Sequence, residues 1–245
     1  MTNEQFIEFY LEGIFVAENN NLTSYRQIVF PENCIILGFQ FENAISEIIN
    51  GKDFTLPAFT IDGQLTRKKE YTILPGSKIL LVKFKPHTAS LFFPNLYELT
   101  NQTISLTNLI SNKVFKKLEE QFFRNNDKQK TIVNFLKQLM PNKPADKSIV
   151  QAITIINETS GQIRVHELAS KIYHSKRNFE RKFKTATGLT PKQFITNARF
   201  QHSLNLLQSN NDLVDIAYLS GYYDQSHFTH EFKVITGVTP DNYHA

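Results

Sequence analysis

The stretch Phe179–Pro191, FERKFKTATGLTP, returns forty-nine residues later as Phe228–Pro240, FTHEFKVITGVTP, with seven of thirteen positions identical. A unit that recurs this way folds twice by the same local rules, which removes most architectures for the C-terminal part of the chain. The two Phe of each copy, Phe179/Phe183 and Phe228/Phe232, stand at i and i+4, on one face of a helix. Each helix opens at a polar cap, Ser175 or Asp224, and stops at Gly188 or Gly237. Thr-Pro then starts the next helix. A short helix with a small residue, Ala169 or Ala217, precedes each copy and lets two helices cross closely, as a helix-turn-helix requires.

Between the shared letters the copies differ. At about 100° per residue, the face opposite the Phe pair carries Arg177, Arg181 and Lys184 in the first copy. In the second it carries Ser226, His230 and Lys233, with Gln225 at the exposed N-terminal end. Ser175, Lys176 and Asn178 extend the first set at its N-terminal end. These are hydrogen-bond donors on a helix small enough for a major groove, where Arg pairs with guanine and Gln or Ser serves base edges or phosphates. Charge is also divided unevenly. Ile163–Arg199 holds nine Lys/Arg against two Asp/Glu, whereas Phe200 to the end holds one Lys against five Asp/Glu. A basic block is an ordinary solvated face or a footprint for a polyanion; the duplicated donor faces favour the second.

With these residues in view, the chain from about Ile149 to Tyr243 resembles the DNA-binding domain of the AraC/XylS family of bacterial transcription regulators. The resemblance rests on GYYDQSHFTHEFKVITGVTPDNY, with Gly221, Asp224, Gln225, Ser226, Phe228, Phe232, Lys233, Gly237, Thr239 and Pro240 in the family's places. It implies seven helices, two helix-turn-helix units and a long joining helix, PKQFITNARFQHSLNLLQ, with Phe194, Ala198 and Leu204 inside. It also implies that both recognition helices address one face of double-stranded DNA in successive major grooves, about 34 Å apart. An activator that contacts RNA polymerase, with a barrel or cupin-like sensor in front, is the layout it suggests.

The N-terminal half reads as a mainly β barrel or sandwich. Short apolar runs such as Cys34–Phe41 alternate with turn signals, Asp62-Gly63 suggests a hairpin, and strands flank Pro75-Gly76 with Pro86 ending the second. Two amphipathic helices follow, with Val114, Phe115, Leu118 and Phe122 on one face and Ile132, Phe135, Leu136 and Leu139 on the other's. The expected organisation is a β-rich sensor or interaction domain over 1–110, a helical pair over 111–140, a Pro-containing linker over 141–147 and an all-α DNA-binding domain over 148–245. The pair is a candidate dimerisation element for a homodimer, with intramolecular packing as its competing use. The aromatic residues Phe39, Phe41, Phe54, Phe59, Phe84, Phe92 and Phe93 either line an effector pocket or form core.

Several classes are disfavoured. No apolar run of about eighteen residues suggests a membrane span, and the N-terminus lacks the pattern of a signal peptide. The single cysteine, Cys34, excludes an internal disulfide and a multi-cysteine zinc site and reads as a buried thiol. Only His87 lies outside the C-terminal part, where His166, His174, His202, His227, His230 and His244 are found, so a metal-bearing cupin enzyme is not expected. No nucleophile–base or phosphate-cradling motif points to catalysis. The expectation is a cytoplasmic regulator with no cofactor, modulated by a small-molecule effector. Its alternative is a regulator whose N-terminal half only docks or oligomerises.

Overall fold

The computed structural model describes residues 1–140, 144–172, 175–209 and 212–243. Pro141–Lys143 of the expected linker, and His174 and His244, therefore lie outside the described residues.

The chain opens with a helix, not a strand: α1 (Asn3–Tyr10) starts at a capping box in which Thr2 and Gln5 satisfy each other's backbone N–H groups. Nine strands follow. β1 (Leu11–Glu18), β8 (Lys78–Phe84), β3 (Ile36–Glu42), β6 (Phe59–Asp62) and β9 (Thr103–Ser105) form one sheet in that order, and β2 (Tyr25–Val29), β7 (Lys69–Ile73), β4 (Ile45–Ile49) and β5 (Lys52–Thr55) form the other. All the paired strands run antiparallel.

The five-stranded sheet is covered on both faces, and side-chain alternation sorts its residues. Leu37 and Phe39 of β3, Phe59 and Ile61 of β6, and Leu80, Val82 and Phe84 of β8 are buried on one face. There they pack with Phe6 of α1, Ala89 of α2 (Ala89–Phe92), Leu118 and Phe122 of α3 (Asn112–Arg124), and Ile132 and Leu136 of α4 (Lys128–Gln138). The helical pair thus spends most of its apolar stripes on the N-terminal core, although Val114, expected in the first stripe, is exposed. The intervening residues, Ile36, Thr60, Asp62, Ile79 and Leu81, face the second sheet across a cavity. Phe39, Phe59 and Phe84 are therefore core, on the face away from the cavity, whereas Phe54 on β5 and Phe15 on β1 are exposed.

The hairpin expected at Asp62-Gly63 does not form. β6 pairs with β3 and β9, while β7 belongs to the other sheet, so the chain crosses between sheets at this point. Close approach is what the glycine serves: a Cβ built on Gly63 would stand 1.9 Å from the Leu99 carbonyl oxygen.

The described residues of the C-terminal part form α5 (Lys147–Glu158), α6 (Val165–Lys171), α7 (Lys176–Thr187), α8 (Pro191–Leu207), α9 (Leu213–Leu219) and α10 (Gln225–Thr236), with a short 3-10 turn at Pro240–Asn242 as the seventh helical element among them. It has two separate cores. Phe179, Phe183 and Phe194 pack with Leu168, Ala169 and Ile153 in the first, and Phe228, Phe232 and Phe200 with Ile216 and Ala217 in the second. Helix α8 serves both, and no helix among the described residues is long and apolar enough to cross a membrane.

Replacing Gly63 by Ala should overpack the contact with Leu99 and destabilise the protein by about 1–3 kcal/mol, read as a lower midpoint in urea denaturation.

Candidate nucleic-acid interface

Both repeated helices are built as their sequences imply. Gly188 and Gly237 close α7 and α10 with φ of 86° and 83°, the left-handed region that glycine enters without steric cost. Asp224 caps α10 by accepting the His227 N–H at 2.7 Å, whereas the Ser175 side chain makes no such bond at the start of α7. Thr190 and Gln193 form a capping box that starts α8.

The structure places the proposed donors on the outer faces. Ser175, Lys176, Arg177, Arg181, Lys184, Gln225, Ser226, His230 and Lys233 are exposed, and Asn178 is half-buried. Asn178 Oδ1 accepts from Arg181 Nη2 at 3.1 Å, which orients the guanidinium. Lys184, near the C-terminal end of α7, holds its ammonium 5.5 Å from the ring centre of Tyr97 in the N-terminal domain, so its part of the face is shared with that domain.

Not every unlike letter of the repeat faces outward. Glu231 accepts a bidentate pair from the Arg199 guanidinium of α8, Nε to Oε1 at 3.2 Å and Nη2 to Oε2 at 2.9 Å, and both side chains are largely buried. Arg199 in turn lies 4.6 Å from the Tyr222 ring centre. At the matching position of the first copy, Lys182 pairs at 3.2 Å with Asp146, the cap of α5. The residue before the second Phe therefore braces its helix in both units, with opposite polarity.

The N-terminal domain holds the far ends of the same helices. The last carbonyls of an α-helix have no partners within it. At α7, Ser90 Oγ donates to the Ala186 carbonyl at 2.8 Å and Gln64 Nε2 to the Thr187 carbonyl at 2.9 Å. Just beyond the helix, the Thr100 hydroxyl donates to the Gly188 carbonyl at 3.3 Å. At α10, the Lys68 N–H donates to the Ile235 carbonyl at 2.8 Å. Between them, α8 is gripped at its middle. Asn197 Nδ2 donates to Asn33 Oδ1 at 2.9 Å and to the Leu65 carbonyl at 2.8 Å, while Asn33 Nδ2 donates to the Phe194 carbonyl at 3.0 Å. Asn33, Gln64, Thr187 and Asn197 are all buried. Phe30 packs against Phe200 and Tyr243 at centroid distances of 5.7 and 6.0 Å.

The segments that make these contacts, around residues 30–34 and 62–68, also wall the cavity between the sheets. Phe30, Glu32, Cys34, Asp62, Gly63 and Leu65 line it, and its volume is about 330 Å³. Burial pushes the Cys34 thiol up to about 12, so at neutral pH it is an unreactive wall residue. Burial also raises Asp62 and Tyr71 above their ordinary values. Sequence reasoning missed Asn33, Gln64 and Asn197. The one signal available was an Asn in the middle of a long amphipathic helix, where a polar side chain without a solvent role needs a partner. Among the described residues, no cluster of His, Cys, Asp and Glu could hold a metal ion.

Comparison with known proteins places this geometry. Residues 168–245 match a family described as a helix-turn-helix domain, and residues 4–105 match one described as a domain of unknown function (DUF6597). The HTH-type transcriptional activator RhaS of Yersinia pestis (strain Pestoides F) is 37% identical over 74 residues, 30% of this chain and 27% of that protein. RhaS of Yersinia pseudotuberculosis (serotype O:1b, strain IP 31758) matches to the same extent. The matched stretch spans about a quarter of the length of these relatives. Among solved structures, ToxT from Vibrio cholerae is 12% identical, with a TM-score of 0.48, over 94% of this chain and 97% of that one. The DNA-binding domain of AdpA in complex with a target DNA is 25% identical, with a TM-score of 0.38, over 40% and 90%. Residues 168–245 are therefore a helix-turn-helix domain, in keeping with the resemblance to the AraC/XylS family.

The two bracing pairs differ in burial, and their loss should differ accordingly. Glu231→Ala leaves Arg199 without its partner and should cost on the order of 2–3 kcal/mol. Lys182→Ala removes a half-exposed pair and should cost about 0.5 kcal/mol. Urea denaturation of the two variants measures the difference.

Proposed function

We propose that the protein is a sequence-specific DNA-binding transcription regulator, and an activator, whose N-terminal domain responds to an effector. The observation that carries this reading is the presentation of α7 and α10. Each is held by the rest of the protein at its C-terminal end, and each leaves an outer face of donors and its N-terminal end open. At α7, where the Ser175 side chain makes no capping bond, the outward N–H groups and the positive end of the helix dipole favour a phosphate, whereas at α10 the Asp224 carboxylate already takes that place. The activator role is supported by the name of the curated relatives over the matching segment.

In this reading Ser175, Lys176, Arg177, Asn178, Arg181 and Lys184 meet one major groove, and Gln225, Ser226, His230 and Lys233 meet the next. The strongly basic first unit supplies most of the phosphate neutralisation. The second supplies alignment and hydrogen bonds, and its acidic surface is available to RNA polymerase. Exposed Val214 and Tyr218 of α9 and the neighbouring Tyr223 lie outside both helical cores and would contribute to such a contact. A homodimer would form through the outer surface of α3 and α4, where Val114 and Phe123 remain exposed. A cytoplasmic location accompanies the function.

An effector would act through the cavity wall. A ligand that displaced Phe30 or Leu65 would disturb the neighbouring bonds of Asn33, Gln64 and Asn197, and with them the spacing of α7 and α10. Populations shift only by the difference in ligand affinity between two states, and these shared segments are where that difference would be felt.

Titration of duplex DNA over a range of salt tests the division between the units. Arg181→Ala should weaken binding and flatten the salt slope by about 0.9 for each phosphate that is no longer neutralised, and His230→Ala should leave the slope nearly unchanged. Equal effects of the two substitutions would contradict the assignment, and absence of DNA binding by the intact protein would contradict the function.

A further inference from the structure

The cavity between the sheets has a chemistry of its own, which narrows the effector invoked above; the inference rests on that reading. Its body is aliphatic, with Val29, Ile36, Ile73, Ile79 and Leu81 along its walls. Its volume of about 330 Å³ falls at the lower end of small-molecule sites, which run from about 300 to 1,000 Å³. The charged groups that line it are Glu18, Glu32, Asp62 and Lys83, three carboxylates against one ammonium. Lys83 already pairs with Glu32, and Glu18 lies 3.8 Å from Lys78.

Asp62 is different. Among the described residues it forms no ion pair. Its Oδ1 accepts from the Thr103 hydroxyl and, at 3.4 Å, from the Tyr71 hydroxyl, while Oδ2 accepts no hydrogen bond among the described residues. The Lys69 ammonium close by is spent on Glu47 at 3.0 Å and on Thr103 at 2.7 Å. A carboxylate taken out of water without a cation resists ionisation, and a cation brought to it reverses that penalty.

We propose that this cavity binds a small apolar primary amine, with its ammonium on Asp62 Oδ2 and its hydrocarbon body along the aliphatic wall. An ammonium brings donors only, which suits an oxygen that lacks one. An organic carboxylate of the same shape would be a fourth anion beside a single, already paired cation. Occupancy at Asp62 also has a short route to the DNA-binding domain. Gly63, packed on Leu99, is the next residue, then Gln64 on the Thr187 carbonyl and Leu65 on Asn197.

Calorimetric titration of the full chain with 2-phenylethylamine, 3-phenylpropanol and 3-phenylpropanoate tests the proposal, with duplex DNA binding measured on the same samples. The amine should bind, the alcohol more weakly and the carboxylate not measurably. Asp62→Asn should lower amine affinity by about tenfold or more, the worth of one charge-assisted hydrogen bond. Ile79→Phe, which fills the cavity, should remove amine and alcohol binding together. The proposal is overturned if the carboxylate binds as tightly as the amine, if none of the three binds, or if either variant binds the amine undiminished. Should Asp62→Asn fail to fold, Ile79→Phe and the amine–carboxylate comparison decide alone. Loss of DNA binding by the intact protein counts instead against the regulatory reading, so the two failures are distinguishable.

Discussion

The last carbonyl groups of α7 and α10 have no partners inside their own helices, and the N-terminal domain supplies partners for several of them. Ser90 and Gln64 bond the Ala186 and Thr187 carbonyls of α7, and the Lys68 N–H bonds the Ile235 carbonyl of α10. Asn197, buried in the middle of α8, spends both amide hydrogens on the same domain. A buried amide without these bonds would carry a desolvation cost of roughly 1–3 kcal/mol. The bonds therefore hold the domains in one register, and the spacing of α7 and α10 is set jointly by α8 and by the domain docked on it.

That arrangement divides the repeat into three kinds of residue, not two. Shared letters build the scaffold, with Phe inward, Gly at the helix stop and Thr-Pro at the restart. Among the unlike letters, Arg181 and His230 face outward, but Lys182 and Glu231 reach back to Asp146 and Arg199. The charge contrast between the copies is thus partly structural. An acidic residue on α10 serves to anchor that helix to α8, and it does not by itself describe the surface offered to DNA.

In the N-terminal domain one sheet does two jobs because side chains alternate along its strands. Phe39, Phe59 and Phe84 fill the face under the helices, and Ile36, Thr60, Asp62 and Ile79 are left to the cavity. The aromatic content of the strands was visible in the sequence, but not which face it would take. The helices that claim it, α3 and α4, lie far along the chain. Asp62-Gly63 looked like a hairpin for a similar reason. Local turn chemistry is the same whether the next strand joins the same sheet or the opposite one, and only the crossing against Leu99 decides.

What the sequence determined by itself is the local, periodic part. The duplicated helix-turn-helix, its caps, its inward phenylalanines and its outward donors follow from spacing within a dozen residues, and they were enough to place the C-terminal domain in its class. The tertiary structure alone decided what depends on distant partners: that Asn33 meets Asn197, that Gln64 caps α7, that Glu231 finds Arg199, and that a cavity opens beside all of them. Those pairings join residues up to 164 positions apart. No periodicity records such a separation, because it is fixed only when the two domains pack and their buried polar groups must find one another.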